Sequence, residues 1–167
     1  LLHDLLAGSV DVVVGRVGGR ALELPLSYRV LYTEPVCFVA RPDHPLAQKS
    51  RLSWADLSPW RWIVWPTGTP IRLSIDNALV DNGVMLPENT IESASMNVTS
   101  NLLQSSDMVS ILSLRLAQRY AAQHQLAILN LPRIEQKGSV GVFWRKSEAP
   151  SLALSRFLHC LSLQSSL

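Results

Sequence analysis

Cysteine is scarce: two occur in 167 residues, and they form no CxxC pair. Cys37 falls in an apolar stretch and Cys160 in an amphipathic one, which suits neither a zinc site nor a disulfide framework. Buried free thiols in a reducing cytoplasm are the expectation. No apolar run reaches the roughly 20 residues that span a bilayer, so no membrane partner is expected. A basic–apolar–small leader is also missing, and nothing indicates export. Lys and Arg are scattered at a net charge of +2, with no basic stripe for nucleic acid. Catalytic signatures are missing as well. There is no nucleophile elbow or P-loop, and Gly15-Arg16-Val17-Gly18-Gly19 lacks the dinucleotide spacing. His3, His44, His124 and His159 lie far apart, none at ligand spacing from a Cys or an acid. No catalytic residue, metal or cofactor is expected, and an enzyme is a distant reading.

What the chain does have is a globular profile, 47% hydrophobic and 17% charged. It shows no repeat or low-complexity tract. Leu1-Leu2 has no initiator Met and already reads as helix, so a piece of a longer chain is expected. Leu1, Leu2, Leu5 and Leu6 share a helical face that Gly8 ends. Val10 to Gly15 reads as a buried strand, and Leu31 to Ala40 as a longer one closed by Pro42 and Pro45. Residues 42 to 60 read as a crossing between lobes, with a short helix over Trp54 to Leu57.

Strands and helices then alternate. Strands are expected at Trp62–Trp65, Thr90–Ser93, Met108–Leu112, Leu126–Leu131 and Gly141–Trp144. Helices are expected from Pro70, with Ile71, Ile75, Ala78 and Leu79 inward, and over Ser95–Leu103, with Val98, Leu102 and Leu103 inward. A third follows Ser113, lined by Leu116, Ala117, Tyr120, Ala121 and His124, and a closing helix carries Leu154, Phe157, Leu158 and Leu161 on one side. This order predicts an α/β fold with mostly parallel sheets and flanking helices. A first lobe is assigned to residues 1–60 and 139–167, including the crossover. A second lobe, with a five-stranded, mainly parallel sheet, is assigned to 61–138. Two chain crossings would place a cleft at the hinge, where small ligands bind.

The order of motifs resembles LysR-type transcription regulators. Leu6-Ala7-Gly8-Ser9-Val10-Asp11 resembles their leucine-rich helix, glycine and Asp-led strand. Arg41-Pro42-Asp43-His44-Pro45-Leu46 resembles their "HPL" crossover, where His44 would be structural. Leu52 to Leu57 resembles their L-x-x-x-D-L segment. Trp62 to Arg72 resembles the opening of their second lobe, with the flavour of members that sense sugars or aromatic acids. Glu92 to Met96 and Met108 to Leu112 fall in register. Ser105, Ser106 and Ser113 depart from the glycines and proline usual there, which bears on local turns rather than on the fold.

The resemblance implies a two-lobed fold like the type 2 periplasmic binding proteins and a small-molecule effector in the interlobe cleft. It implies self-association as a dimer or higher, and contact with DNA only through an N-terminal domain outside this chain. It also implies that the sensor's first strand, first helix and second strand lie upstream. A stand-alone solute-binding protein of the same fold is the alternative.

The loop Pro66-Thr67-Gly68-Thr69 leads the candidate ligand contacts. Pro70 suits the first helical position and Thr69 the cap. The helix start offers N–H groups and partial positive charge, the threonines offer hydroxyls, and Gly68 allows close approach. A plain capped helix needs only Thr69. Ser95, Met96 and Asn97 open the next helix with the same logic, and ordinary capping by Ser95 is the alternative. Arg16 directly follows an expected buried strand, where it could pair a ligand carboxylate, or else be solvated or paired with Asp11. Such contacts would suit a carboxylate or sugar acid. Trp62 reads as core, whereas Trp54, Trp60 and Trp65 read either as core or as stacking surfaces near the hinge.

Overall fold

Pro35 interrupts the apolar stretch expected to run unbroken from Leu31 to Ala40. It has no N–H to give a ladder, and two strands form in place of one, Leu26–Thr33 and Val36–Ala40. The computed structural model describes residues 1–131, 138–146 and 151–164, without the side chains of 19–20 and 162–164. The chain divides beside Pro35 into two compact units, Leu1–Thr33 with Gly138–Leu167, and Glu34–Lys137. Residues 34–60, assigned from sequence to the first lobe, belong to the second unit. The second lobe is expected from sequence to end at 138, and Gly138 falls with the first unit; residues 132–137, 147–150 and 165–167 lie outside the described residues.

In the first unit, helix α1 (Leu2–Ala7) ends at Gly8, whose φ of 81° is the left-handed value a glycine C-cap adopts at no steric cost. Strand β1 (Val12–Val17) follows, then β2 (Leu26–Thr33). Strand β8 (Ser139–Arg145) lies between them, antiparallel to both, with Gly15 opposite Gly141 and Tyr28 opposite Phe143. Gly141 is required by close approach: a Cβ there would sit 2.7 Å from the carbonyl oxygen of Arg29. Leu5, Val13, Ala21 and Phe143 form the core on one face. Arg145 ties the α1 turn to the sheet, donating to the carbonyls of Leu5 and Val10 at 2.9 and 2.7 Å and to Asp11 at 2.9 Å. Arg29 points to the other face and donates to the Leu158 carbonyl of α5 (Leu152–Gln164). Leu158 is buried as expected, whereas Phe157 is exposed. Cys160, expected buried, is exposed because it stands two residues beyond Leu158, off that helix face.

The second unit holds a five-stranded sheet ordered β5-β4-β6-β3-β7. Its strands are β3 (Val36–Ala40), β4 (Trp62–Val64), β5 (Ile91–Glu92), β6 (Val109–Ser113) and β7 (Ala127–Ile128). Helices α2 (Pro70–Asp81) and α3 (Met96–Gln104) link β4, β5 and β6, and α4 (Leu114–Ala122) follows β6. The crossovers make β4 parallel to β5 and β6. β3 enters before the first crossover and runs against β6 and β7. The mostly parallel pairing expected from sequence is therefore corrected: among the described strand pairs, only these two are parallel.

Alternation along the strands feeds two cores. Phe38, Trp62, Val64, Val109 and Ile111 face α2 through Ile71, Ile75, Ala78 and Leu79. Val39, Ile63 and Leu112 face the side of Leu103, Ala117 and Leu126. Phe38 meets Trp54 and Trp62 edge-on at 5.4 and 5.1 Å, so both tryptophans are core. Burial pushes the thiol of Cys37 up to about 11, which leaves it unreactive near neutrality.

The HPL turn is a buried polar lock. His44 is fully buried. Its Nδ1 accepts from the Leu46 N–H at 3.0 Å, so Nε2–H donates to the Asp107 carbonyl at 3.2 Å. Trp60 closes over the ring at 4.3 Å, and Arg41 grips the Asp107 carboxylate through Nε and Nη2 at 2.9 and 2.7 Å.

Two helices differ in phase from expectation. Starting α3 at Met96 turns Thr99, Ser100 and Leu103 inward and leaves Val98 48% exposed. α4 stops at Ala122, and His124 lies beyond it at φ 55°, exposed. The strand expected at Leu126–Leu131 is two residues long.

Candidate functional site

The loop after β4 is a hydrogen-bonded turn. Gly68 takes φ 84°, and Thr69 donates from both N–H and hydroxyl to the Pro66 carbonyl, at 3.2 and 2.8 Å. The Thr69 hydroxyl also accepts from the Arg72 N–H at 3.4 Å, as an N-cap with Pro70 at the first helical position. Thr67 donates its hydroxyl to Glu92 at 2.8 Å. The hydroxyl hydrogens of both threonines are thus used inside the protein.

Arg72, one turn into α2, organises this corner. Its side chain is 11% exposed and donates to Asp76 and Glu92, at 2.8 Å each, and to the Trp65 carbonyl at 3.1 Å. The guanidinium and then the Thr67 hydroxyl hold the Glu92 carboxyl below the usual carboxylate range. The Trp65 indole donates to the Ile111 carbonyl at 3.1 Å, fixing the ring at the carboxyl ends of the parallel strands.

A pocket opens beside that ring. Its empty volume is about 210 Å³, partly continuous with solvent, and its walls are Val64, Trp65, Ser93, Ala94, Ser95, Met96, Thr99, Ser110 and Leu112. It lies at the carboxyl ends of β4 and β5 and at the start of α3, where open α/β sheets place ligands. Ser95 caps α3, its hydroxyl accepting from the Val98 N–H at 3.5 Å, while its own N–H donates to Ser93 Oγ at 3.2 Å. Thr99 N–H donates to the Ser95 carbonyl at 3.0 Å. The N–H groups of Met96 and Asn97 have no protein acceptor among the described residues. Among the described residues, no charged side chain lines this pocket.

Of the residues singled out from sequence, Ser95 and Met96 line the pocket, and Asn97 stands exposed at the same helix start. Pro66, Thr67, Gly68 and Thr69 do not line it, although the Thr67–Glu92 bond joins their loop to the strand that precedes Ser93. Arg16 belongs to the other unit. It lies inside β1 rather than after it, half-buried opposite Val140 of an antiparallel partner, so the expected parallel-strand end is corrected. Sequence reasoning missed Arg72, Thr99 and Ser110. The signal for Thr99 was its place one turn after the Ser95 cap, on the same helix face.

The LysR substrate binding domain family model matches residues 1–164. The HTH-type transcriptional regulator PcaQ of Agrobacterium fabrum is 30% identical over 161 residues, covering 96% of this chain and 52% of its own. The CcmR regulatory domain of Synechocystis PCC6803 in complex with 2-PG superposes with a TM-score of 0.84 at 22% identity, over 98% of this chain and 77% of that one. The effector binding domain of QuiR in complex with shikimate gives 0.81 at 14% identity, over 99% and 76%. These two share the two-lobed fold. The chain spans about half the length of the curated relatives it matches.

Proposed function

The chain belongs to the LysR substrate-binding domain family, and from that premise we propose that it senses a small organic anion, a carboxylate or sugar acid, at the pocket where α3 begins. The observation behind this reading is the pair of N–H groups on Met96 and Asn97, without protein acceptors among the described residues, at a helix start where Met96 lines a pocket that no charged side chain of the described residues lines. A helix start carries about half a positive charge and binds anions through such donors. Trp65, Met96 and Leu112 supply apolar walls for the rest of the molecule. Shikimate, seen with QuiR, is an acid of this kind. Thr67–Thr69 and Arg16, the other candidate contacts read from the sequence, take no part in this reading, and substitution of each tests that.

In the whole protein, ligand binding shifts the population of a conformation that controls DNA-dependent transcription, through a DNA-binding domain outside this chain. The protein works in the cytoplasm as a dimer or higher oligomer. The likeness to a transcriptional regulator over 96% of the chain favours this over a stand-alone solute-binding protein and over an enzyme.

Isothermal titration with shikimate and gluconate tests the site. Ser95→Ala, which loosens the start of α3, weakens binding by roughly 1 kcal/mol. Acids that bind wild type and Ser95→Ala equally would place the anion elsewhere.

A further inference from the structure

We infer that Thr99 and Ser110 select for a hydroxyl group on the ligand, so that the pocket takes a hydroxylated carboxylate in preference to a plain one. This rests on the pocket being the ligand site.

The two side chains are the buried polar part of its wall, 5% and 2% exposed. They differ in what they have left to offer. The Ser110 hydroxyl donates to the Ile63 carbonyl at 2.8 Å. A serine hydroxyl has one hydrogen, so Ser110 presents only lone pairs to the pocket and asks for a donor. The Thr99 hydroxyl has no hydrogen-bond partner among the described residues. It can give one hydrogen and accept another.

Solvent can reach the Thr99 oxygen in the open pocket, and a ligand that displaces water there without offering a hydrogen bond of its own leaves the hydroxyl unpaired, at a cost. A second carboxylate could accept from Thr99 but has no hydrogen for Ser110. An ammonium could donate to both, but it would meet the positive end of α3 with no acidic side chain among the described residues lining the pocket. An alcohol satisfies both, donating to Ser110 and accepting from Thr99. The acid group would then lie at the N–H groups of Met96 and Asn97, with the hydroxyl directed inward. Specificity of this kind is strong because a ligand lacking the hydroxyl covers the Thr99 hydroxyl without pairing it, while Ser110 keeps its bond to Ile63.

The test compares shikimate with cyclohex-1-ene-1-carboxylate, the same ring acid without hydroxyls. Each is titrated calorimetrically into wild type, Thr99→Val and Ser110→Ala, and gluconate against hexanoate serves as a second pair. Wild type should prefer the hydroxylated acid about tenfold or more. Thr99→Val should bring that ratio near one while leaving the affinity for the plain acid unchanged. Its ligand-free Tm should not fall, since no internal hydrogen bond is lost; a lower Tm would mean that the hydroxyl serves the fold, against the inference. A wild-type ratio near one, or equal weakening of both acids by Thr99→Val, overturns the hydroxyl assignment and leaves the anion site standing. Failure of all four acids to bind wild type overturns the reading of the pocket, and this inference with it.

Discussion

Helices α2 and α3 both begin behind a hydroxyl cap at the edge of the same sheet, yet their starts are arranged differently. At α2, Pro70 contributes no N–H, and Thr69 bonds both Pro66 and Arg72. Thr67 and Arg72 converge on Glu92. At α3, Ser95 caps over a long 3.5 Å bond, two N–H groups remain without protein acceptors, and the next turn presents Thr99 to a pocket. One start is closed by its own side chains and holds β4, α2 and β5 together. The other is left open. A helix start alone does not distinguish a structural joint from an anion site; the use of its donors and hydroxyls does.

The largest effect should come from the closed start. Arg72 is nearly buried and satisfies the Trp65 carbonyl as well as two carboxylates. Arg72→Ala leaves that carbonyl and Asp76 without this donor and Glu92 with the Thr67 hydroxyl alone, and should lower unfolding free energy by about 2 kcal/mol. Arg72→Lys should restore only part, because one ammonium cannot reproduce the fork. Denaturant unfolding checks this. A loss in Arg72→Ala within experimental error would mean that the corner is not the joint described.

Thr69→Ala and Ser95→Ala separate the two starts directly. Thr69→Ala should cost about 1 kcal/mol of stability through the lost cap, with ligand affinity nearly unchanged. Ser95→Ala should cost less stability, since its cap bond is at the limit of length, and should show mainly in affinity. Unfolding midpoints and titrations on the same two variants provide the comparison. The reverse pattern, with affinity lost in Thr69→Ala and stability in Ser95→Ala, would exchange the roles assigned to the two helices.

Both caps were legible in the sequence because capping is local: Thr69 before a proline and Ser95 before a helical stretch are enough. The inward face of α2 was legible from its apolar spacing, and the family from motifs in order along the chain. Strand direction was not, because β3 and β8 pair with partners distant in the chain, a relation no local period encodes. Pro35 was a legible break that the apolar run around it obscured. In α3, apolar Val98 drew attention inward, whereas the phase set by Ser95 buries Thr99 and Ser100. The pocket depends on that phase, and its polar wall is made of residue types whose presence in sequence signals nothing by itself.

The smallest effect concerns the acid at the closed corner. Glu92 is 47% exposed, yet the Arg72 guanidinium first and the Thr67 hydroxyl second hold its carboxyl below its ordinary value. In the unfolded chain it titrates at about 4.3. Between the folded and unfolded values the unfolded chain binds more protons, so stability rises with pH across that window. The contribution is complete above the unfolded value and is lost as pH falls through the folded one. Glu92→Gln removes the charge at every pH while keeping an acceptor for Thr67. Wild type should therefore exceed Glu92→Gln in stability at pH 7 by a small margin, reduced by solvent and salt at this exposure. The margin should shrink as pH falls through the acid range. Urea unfolding of both proteins from pH 7 downward measures it. A margin that stays constant with pH would show that the carboxylate gains nothing from Arg72, and would reduce the closed start of α2 to its cap and the Trp65 carbonyl.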